Sequence, residues 1–383
     1  MEIENFFSKF RKRIKFNYSK KSFIFDINQD LFSSAKLDKG TFQLIDSLRK
    51  NKKIIYKDIL DLGCGYGPIG IILKKLHPNS LIDCTDRDAL ALEFTRQNAI
   101  LNNCKIKAYP SLGFEKVNKK FDLICCNYPA KAGEKVLKNF VYNSSIYLKE
   151  KGVFTIVIVK ELLGDFEKIL TEDIEIIHKQ KSSSHFVFHL MFKKKLGTNE
   201  DPYLKKQINY YLGNKNYILK TAKNIPEFDT PSFITKAITK NLKELKSARE
   251  VSIINPFQGH LAIAVSHYLN PKKTNIVSRD LLSLRYSEIN LIENGFTNFN
   301  KVHRPIIHKE SGDLLVWRLG ENLEILQLRK QLKQVQNNFS KIILGAKKQK
   351  LKRFIKFLKL DPISKKEEKN AMSILINAQT KKL

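Results

Sequence analysis

The stretch Asp58-Ile59-Leu60-Asp61-Leu62-Gly63-Cys64-Gly65-Tyr66-Gly67-Pro68-Ile69-Gly70 decides the reading of this chain. An apolar run ends in an acid and three alternating glycines, and a helical pattern begins at Ile69. That order spells strand, glycine loop, helix. Alternating glycines let the backbone turn tightly and leave no Cβ between it and a ligand, while the helix behind presents unpaired N–H groups. A second short strand, Ser80 to Thr85, ends on Asp86. An acid at the tip of the second strand, about 20 residues past the glycines, is where the ribose hydroxyls of a nucleotide-type cofactor are held.

Outward from that unit, strands and helices alternate. A helix is expected from Asp88 to Asn102, a third strand from Lys105 to Tyr109 and a fourth from Phe121 to Cys126. The fourth is apolar throughout, as a central parallel strand is, and runs into Asn127-Tyr128-Pro129-Ala130. A helix over Glu134 to Leu148 leads to a fifth strand, Gly152 to Val159, and Asp173–Ile177 and Phe186–Phe192 follow as two nearly consecutive strands. Upstream, Ser22–Asp26 reads as a strand, and a helix carries Leu44 and Leu48. The pattern is α/β: a Rossmann-like, doubly wound sheet closed by a terminal antiparallel hairpin.

With 383 residues the chain is long for one domain, and its 42% hydrophobic content is enough for packed cores. Its formal net charge is +31, heavier after residue 200 than before it. A surplus of that size favours polyanions, RNA or DNA first, although a general lysine bias of the source proteome would also raise it. The five cysteines, Cys64, Cys84, Cys104, Cys125 and Cys126, show no zinc-ligand spacing and read as free thiols in a reducing compartment. No metal is expected. No apolar run approaches the ~20 residues of a membrane span, and Met1-Glu2-Ile3-Glu4 lacks a signal-peptide layout. A cytoplasmic location without membrane association is the expectation. The segment Phe6–Lys21 interleaves seven cations with aromatic residues and reads equally as a phosphate-contacting arm or a solvated face.

Asp61-x-Gly63-x-Gly65-x-Gly67, Asp86 and Phe121-Asp122-Leu123-Ile124-x-x-Asn127-x-Pro129 together resemble a class I S-adenosylmethionine-dependent methyltransferase. Leu31-Phe32-Ser33 and Leu37-Asp38-Lys39-Gly40-Thr41 narrow the resemblance to the small-domain group, similar to the ribosomal RNA guanine-N2 methyltransferases. It covers roughly residues 20–195. The resemblance implies S-adenosylmethionine as cofactor. Asp61, Gly63, Gly65 and Gly67 would line its methionine and ribose, and Asp86, next to Arg87, would take the ribose hydroxyls. Leu112 would stand where the family commonly has Asp or Asn for the adenine amino group. Asn127, Tyr128 and Pro129 would form the catalytic element, with Asn127 beside the transferring methyl. The family motif is usually Asn-Pro-Pro followed by a stacking aromatic. Here Tyr128 and Ala130 depart from it, so either Tyr128 supplies the ring or the substrate is held differently.

Sliding the chain by 192 residues aligns Asp58–Asn103 with Glu250–Gly295 without a gap. Gly67 meets Gly259, Arg87-Asp88 meets Arg279-Asp280, and Asn98 and Asn102 meet Asn290 and Asn294. Gly312 to Val316 echoes Phe121 to Ile124. At the ligand positions the match fails: Asp61, Gly63, Gly65 and Asp86 become Ile253, Asn255, Phe257 and Ser278, and Asn127-x-Pro129 becomes Arg318-Leu319-Gly320. The second half therefore reads as a degenerate α/β copy that folds without binding the cofactor. The expected division is a catalytic domain over residues 1–195, a linker over 196–214 and a basic, non-catalytic domain over 215–383. Lys341–Leu360 reads as an amphipathic basic helix that would dock RNA phosphates or form a solvated face, and residues from Pro362 on read as a loose tail.

The expected function is methylation of an exocyclic base amine, guanine N2, in ribosomal or other RNA. A protein or small-molecule N-methyltransferase of the same fold and a basic RNA-binding pseudoenzyme are the alternatives.

Overall fold

A computed structural model describes residues 11–28, 30–31, 37–49, 56–307 and 310–378. The chain forms two compact units that divide between Tyr203 and Leu204. Parts of Phe6–Lys21 and of the Leu31–Thr41 signature (residues 6–10 and 32–36) lie outside the described residues, as do residues 379–383.

The first unit opens with the antiparallel pair β1 (Arg11–Tyr18) and β2 (Lys21–Asn28). The described part of the basic entry segment is thus β1 and the turn into β2. Helix α1 (Lys39–Arg49) follows, then β3 (Asp58–Leu62), α2 (Pro68–Leu76), β4 (Leu81–Asp86), α3 (Ala89–Leu101), β5 (Lys107–Pro110) and β6 (Phe121–Asn127). The unit ends with α4 (Glu134–Tyr147), β7 (Leu148–Val159), α5 (Leu163–Lys168), β8 (Ile174–Lys181) and β9 (His185–Phe192). The seven main strands run β5-β4-β3-β6-β7-β9-β8, with β3 to β7 parallel and β9 antiparallel to both β7 and β8. This is a Rossmann-like sheet with a terminal hairpin. The chain runs outward from β3 through β4 to β5 and returns to β6, beside β3. The carboxyl ends of β3 and β6 therefore flank the switch point where such sheets bind ligands.

The second unit repeats every element of that order. It begins with the antiparallel pair β10 (Leu204–Leu212) and β11 (Lys215–Ala222), followed by α6 (Phe233–Leu242), β12 (Glu250–Ile254), α7 (His260–Leu269), β13 (Lys273–Ser278) and α8 (Leu281–Glu293). After β14 (Phe299–His303), β15 (Gly312–Arg318) and α9 (Ile325–Val335) come β16 (Phe339–Lys347), α10 (Lys348–Leu358), β17 (Pro362–Glu368) and β18 (Ala371–Asn377). Its sheet, β14-β13-β12-β15-β16-β18-β17, has the same topology as the first.

The duplication reaches further than the aligned window, because each copy carries its own leading strand pair. The asparagines kept in both copies clip that pair to a helix. Asn98 Oδ1 accepts from Asp26 N at 2.7 Å and its amide donates to the Asp26 and Tyr66 carbonyls. Asn290 Oδ1 accepts from Lys220 N at 2.8 Å and its amide donates to the Lys220 and Gln258 carbonyls. Removing either residue would leave buried backbone groups unpaired, which explains its retention in a copy that has lost its ligand positions.

Three expectations are corrected. Residues 204–212, assigned to the linker, form strand β10. The helix expected over Lys341–Leu360 is confined to Lys348–Leu358, because Ile342, Ile343 and Leu344 are buried in the central strand β16. The supposed tail from Pro362 is a strand pair: Met372, Ile374, Leu375 and Ile376 of β18 are buried beside β16, and the charged β17 forms the sheet edge. A charged edge strand resists pairing with other chains, and its composition resembles a solvated tail. Among the described residues no helix is long and apolar enough to cross a membrane.

Candidate active site

The loop after β3 is built for close approach. Gly63, Gly65 and Gly67 have φ of +75°, +58° and +87°, a region that L side chains rarely adopt. A Cβ at Gly63 or Gly65 would meet nothing within 4 Å, so both face open space. The loop is held from behind. Gly63 N and Cys64 N donate to the Thr85 carbonyl at 2.8 and 2.9 Å, and Thr95 Oγ1 of α3 donates to the Gly65 carbonyl at 2.8 Å. Gly70 serves packing instead. A Cβ there would stand 2.5 Å from Cys84 Sγ, so its lack of a side chain lets α2 lie close on β4.

Two acids flank the cradle. Asp61 is fully buried; Oδ2 accepts from Gly70 N at 2.9 Å, and Oδ1 has no hydrogen-bond partner. Burial pushes its pKa up to about 7, opposed by the Gly70 hydrogen bond and reinforced by the nearby Asp86 charge. Asp86, at the tip of β4, accepts from Gly65 N through Oδ2 at 2.9 Å and from Asp88 N through Oδ1 at 2.8 Å. Burial raises its pKa to about 6, against those two backbone bonds. Each carboxylate oxygen has a second lone pair, so Asp86 keeps capacity for hydroxyl donors. Arg87 is half-buried beside it. Leu112 lies in the turn after β5, where Ser111 N donates to the Asp86 carbonyl at 3.0 Å, and its buried side chain offers no polar atom.

Asn127 ends β6, on the strand that pairs with β3 through Asp61 and Cys125. Its side-chain amide donates to Asp38 Oδ2 and to Thr41 Oγ1, both at 2.9 Å. Asp38 also caps α1, accepting from Thr41 N at 3.0 Å. In the sequence Asp38 and Thr41 stand out only as part of the Leu37–Thr41 signature. A contact spanning 89 residues leaves no local trace. Tyr128 does not supply a stacking ring. It is buried, packs edge-on against Phe140 at 5.9 Å, and donates its hydroxyl hydrogen to the Gly133 carbonyl at 2.7 Å. Pro129 has φ −73° and begins a short turn through Ala132.

The second unit shows the same backbone with the space filled. Asn255, Phe257 and Gly259 have φ of +60°, +51° and +95° and keep the left-handed pattern of Gly63, Gly65 and Gly67. Arg318 ends β15 as Asn127 ends β6. Its guanidinium lies 4.3 Å from the Phe257 ring centroid, and its Nε is 3.4 Å from Oε1 of buried Glu227. Side chains occupy the position where the first unit is open.

An open glycine cradle, an orphaned buried carboxylate oxygen and an acid at the tip of β4 fit a nucleotide-linked cofactor with a cationic end. A fold of this order with a site of this kind defines a class: a duplicated Rossmann-like α/β protein with one open cradle and one filled by side chains. Residues 22–188 match the methyltransferase small domain family. The chain is 33% identical over 173 residues to uncharacterized protein YbxB of Bacillus subtilis, covering 43% of this chain and 85% of that protein. It is 37% identical over 131 residues to ribosomal RNA small subunit methyltransferase C of Haemophilus influenzae strain PittGG, covering 33% of this chain and 39% of that protein. The chain therefore spans well under half of that curated methyltransferase. The solved T. thermophilus 16S rRNA N2-guanine methyltransferase RsmC, in complex with AdoMet and guanosine, has TM-score 0.69 at 12% identity over 96% of this chain and 98% of that one. That likeness extends the fold match to both units.

The chain belongs to the methyltransferase small domain family. It is an S-adenosylmethionine-dependent methyltransferase, as its motifs led one to expect.

Proposed function

We propose that this chain methylates the exocyclic N2 amine of a guanine in small-subunit ribosomal RNA, in the cytoplasm, using the first unit alone for chemistry. The observation that carries the reading is Asn127: both N–H bonds of its amide are used inside the protein, so its carbonyl oxygen is the atom presented to a substrate. An exocyclic base amine is a poor nucleophile while its lone pair is delocalised into the ring. Accepting its two N–H bonds, at Asn127 Oδ1 and the Tyr128 backbone carbonyl, localises that lone pair toward the methyl donor. Positioning and electrostatics of this kind need no general base in the motif.

S-adenosylmethionine supplies a methyl group already activated on a sulfonium sulfur. The chain's residues hold it. Gly63, Gly65 and Gly67 admit the methionine and ribose, Asp61 faces the cationic end, and Asp86, with Arg87 beside it, takes the ribose hydroxyls. Leu112 packs on the adenine as an apolar surface. Pro129 fixes the turn that carries the two carbonyls.

RNA as the substrate is supported by the relatives named for ribosomal RNA methylation and by two surfaces. A cavity of about 590 Å³ beside the start of α1 is lined by Lys12, Ile14, Phe16, Leu37, Lys39 and Phe42, among others, and combines cations with aromatic faces. On α10 of the second unit, Lys352, Arg353, Lys356 and Phe357 are exposed over a face with no acid in the helix. The test is transfer of labelled methyl to unmodified small-subunit ribosomal RNA by wild type and by Asn127→Ala.

A further inference from the structure

We infer that Asp38, assisted by Thr41, is a positioning residue for methyl transfer: it fixes the Asn127 side chain with its carbonyl oxygen toward the substrate amine. This rests on the functional reading above, and it concerns atoms that the family motif around Asn127 does not contain.

An asparagine amide is nearly symmetric in shape, and its two orientations present opposite chemistry, an acceptor or a donor pair. Only the acceptor helps an amine nucleophile. A carboxylate has no hydrogen to donate, so Asp38 Oδ2 selects the NH2 end of Asn127, and Thr41 Oγ1 takes that group's second hydrogen. Flipping the amide would set its carbonyl oxygen against a carboxylate. A negative acceptor behind the NH2 group also polarises the amide and makes Oδ1 the stronger acceptor, since hydrogen bonds in series reinforce one another. Gly40 completes the arrangement. A Cβ there would meet Asp38 Oδ2 and the His185 ring, each at 3.0 Å, so a side chain at this position would displace the carboxylate.

The ordinary explanation of Asp38 is that it caps α1, which it does. The second unit separates the two roles. At the corresponding cap stands Ser232, whose Oγ accepts from Thr235 N at 3.2 Å, and Thr235 holds the place of Thr41. Serine therefore suffices for the cap. Where Asn127 has become Arg318, the carboxylate has become a hydroxyl and Gly40 has become Ile234. The capping acid and the glycine are absent from the copy whose asparagine is gone, the threonine and the cap remain, and the carboxylate that meets Thr235 Oγ1 and Arg318 there is Glu227, from outside the cap.

Asp38→Ser and Asp38→Asn test this. Serine keeps the cap and is too short to reach Asn127, whereas the asparagine oxygen still accepts both bonds. In single-turnover transfer to unmodified small-subunit ribosomal RNA, Asp38→Ser is expected to lose about 100-fold in rate, the scale of a misplaced catalytic dipole. The KM for RNA, the affinity for S-adenosylmethionine and Tm should stay near wild type, and Asp38→Asn should recover most of the rate. A substrate-independent readout accompanies it: the Asn127 side-chain amide protons, assigned by NMR through their loss in Asn127→Ala, should exchange slowly with water in wild type and fast in Asp38→Ser. Wild-type transfer rates in Asp38→Ser, a loss that merely follows Tm or cofactor affinity, or fast-exchanging amide protons in the wild type would each overturn the proposal. Slow amide protons in a protein that methylates no RNA would support the positioning and refute the substrate.

Discussion

Gly65→Ala separates folding from cofactor binding. At φ +58° a Cβ costs about 1–2 kcal/mol, because the left-handed region crowds it against the carbonyl oxygen. That Cβ meets no protein atom within 4 Å, so no steric cost adds to the backbone cost. The chain itself carries Phe257 at φ +51° in the equivalent loop, which shows that the turn survives a side chain. For a unit of this size the loss corresponds to a Tm lower by roughly 2–8 °C. The cofactor suffers separately. A methyl group in its place acts as overpacking of about 1–3 kcal/mol, or roughly fivefold to 150-fold in Kd. Calorimetric titration of S-adenosylmethionine, with thermal melts on the same samples, reads both quantities. Gly70→Ala is the contrast: its Cβ would stand 2.5 Å from Cys84 Sγ, so it should damage folding first. Undiminished affinity in Gly65→Ala would refute the cradle.

Two further outcomes follow from the charges. Asp61, raised to about 7 in the fold, favours the folded state when protonated; that stability is present below about pH 4 and is lost as pH rises through 7, up to about 4 kcal/mol at 1.36 per pKa unit. Cofactor affinity should rise over the same window as the ionised acid meets the cationic end, and Asp61→Asn should flatten both profiles in melts and titrations between pH 5 and 8. The triple variant Lys352→Glu, Arg353→Glu, Lys356→Glu, on the exposed face of α10, should weaken RNA binding and reduce the slope of log K against log salt by about 2–3, with S-adenosylmethionine affinity unchanged; an unaltered slope would remove α10 from the RNA surface.

What the sequence revealed and what it hid follow from how locally each feature is encoded. Gly63, Gly65 and Gly67 are legible because the left-handed backbone they adopt restricts residue choice at that spot. The strands β3, β4 and β6 are legible because their apolar runs are short and punctuated, and Asp86 and Asn127 stand at their tips. Strand β10 was hidden by the polar residues of Leu204–Leu212, whose partner strand lies just beyond a tight turn. Strand β17 was hidden by the lysines and glutamates of an edge, and that charged run masked the apolar β18 that follows it. Over Lys341–Leu360 strand β16 passes directly into α10 without a loop, so the lysines of both form one continuous basic segment that resembles a single helix. Tyr128 and Asp38 were hidden most deeply. The ring of one turns inward to Gly133 and Phe140, and the carboxylate of the other meets Asn127 across the fold.

Nucleoside analysis of unmodified small-subunit ribosomal RNA, after incubation with the protein and S-adenosylmethionine carrying a labelled methyl, reads the atom that is methylated. Label should appear in N2-methylguanosine at a single site with wild type, and nowhere with an Asn127→Ala protein that still binds the cofactor. Label in another nucleoside, or equal label with Asn127→Ala, would contradict guanine N2 methylation through Asn127.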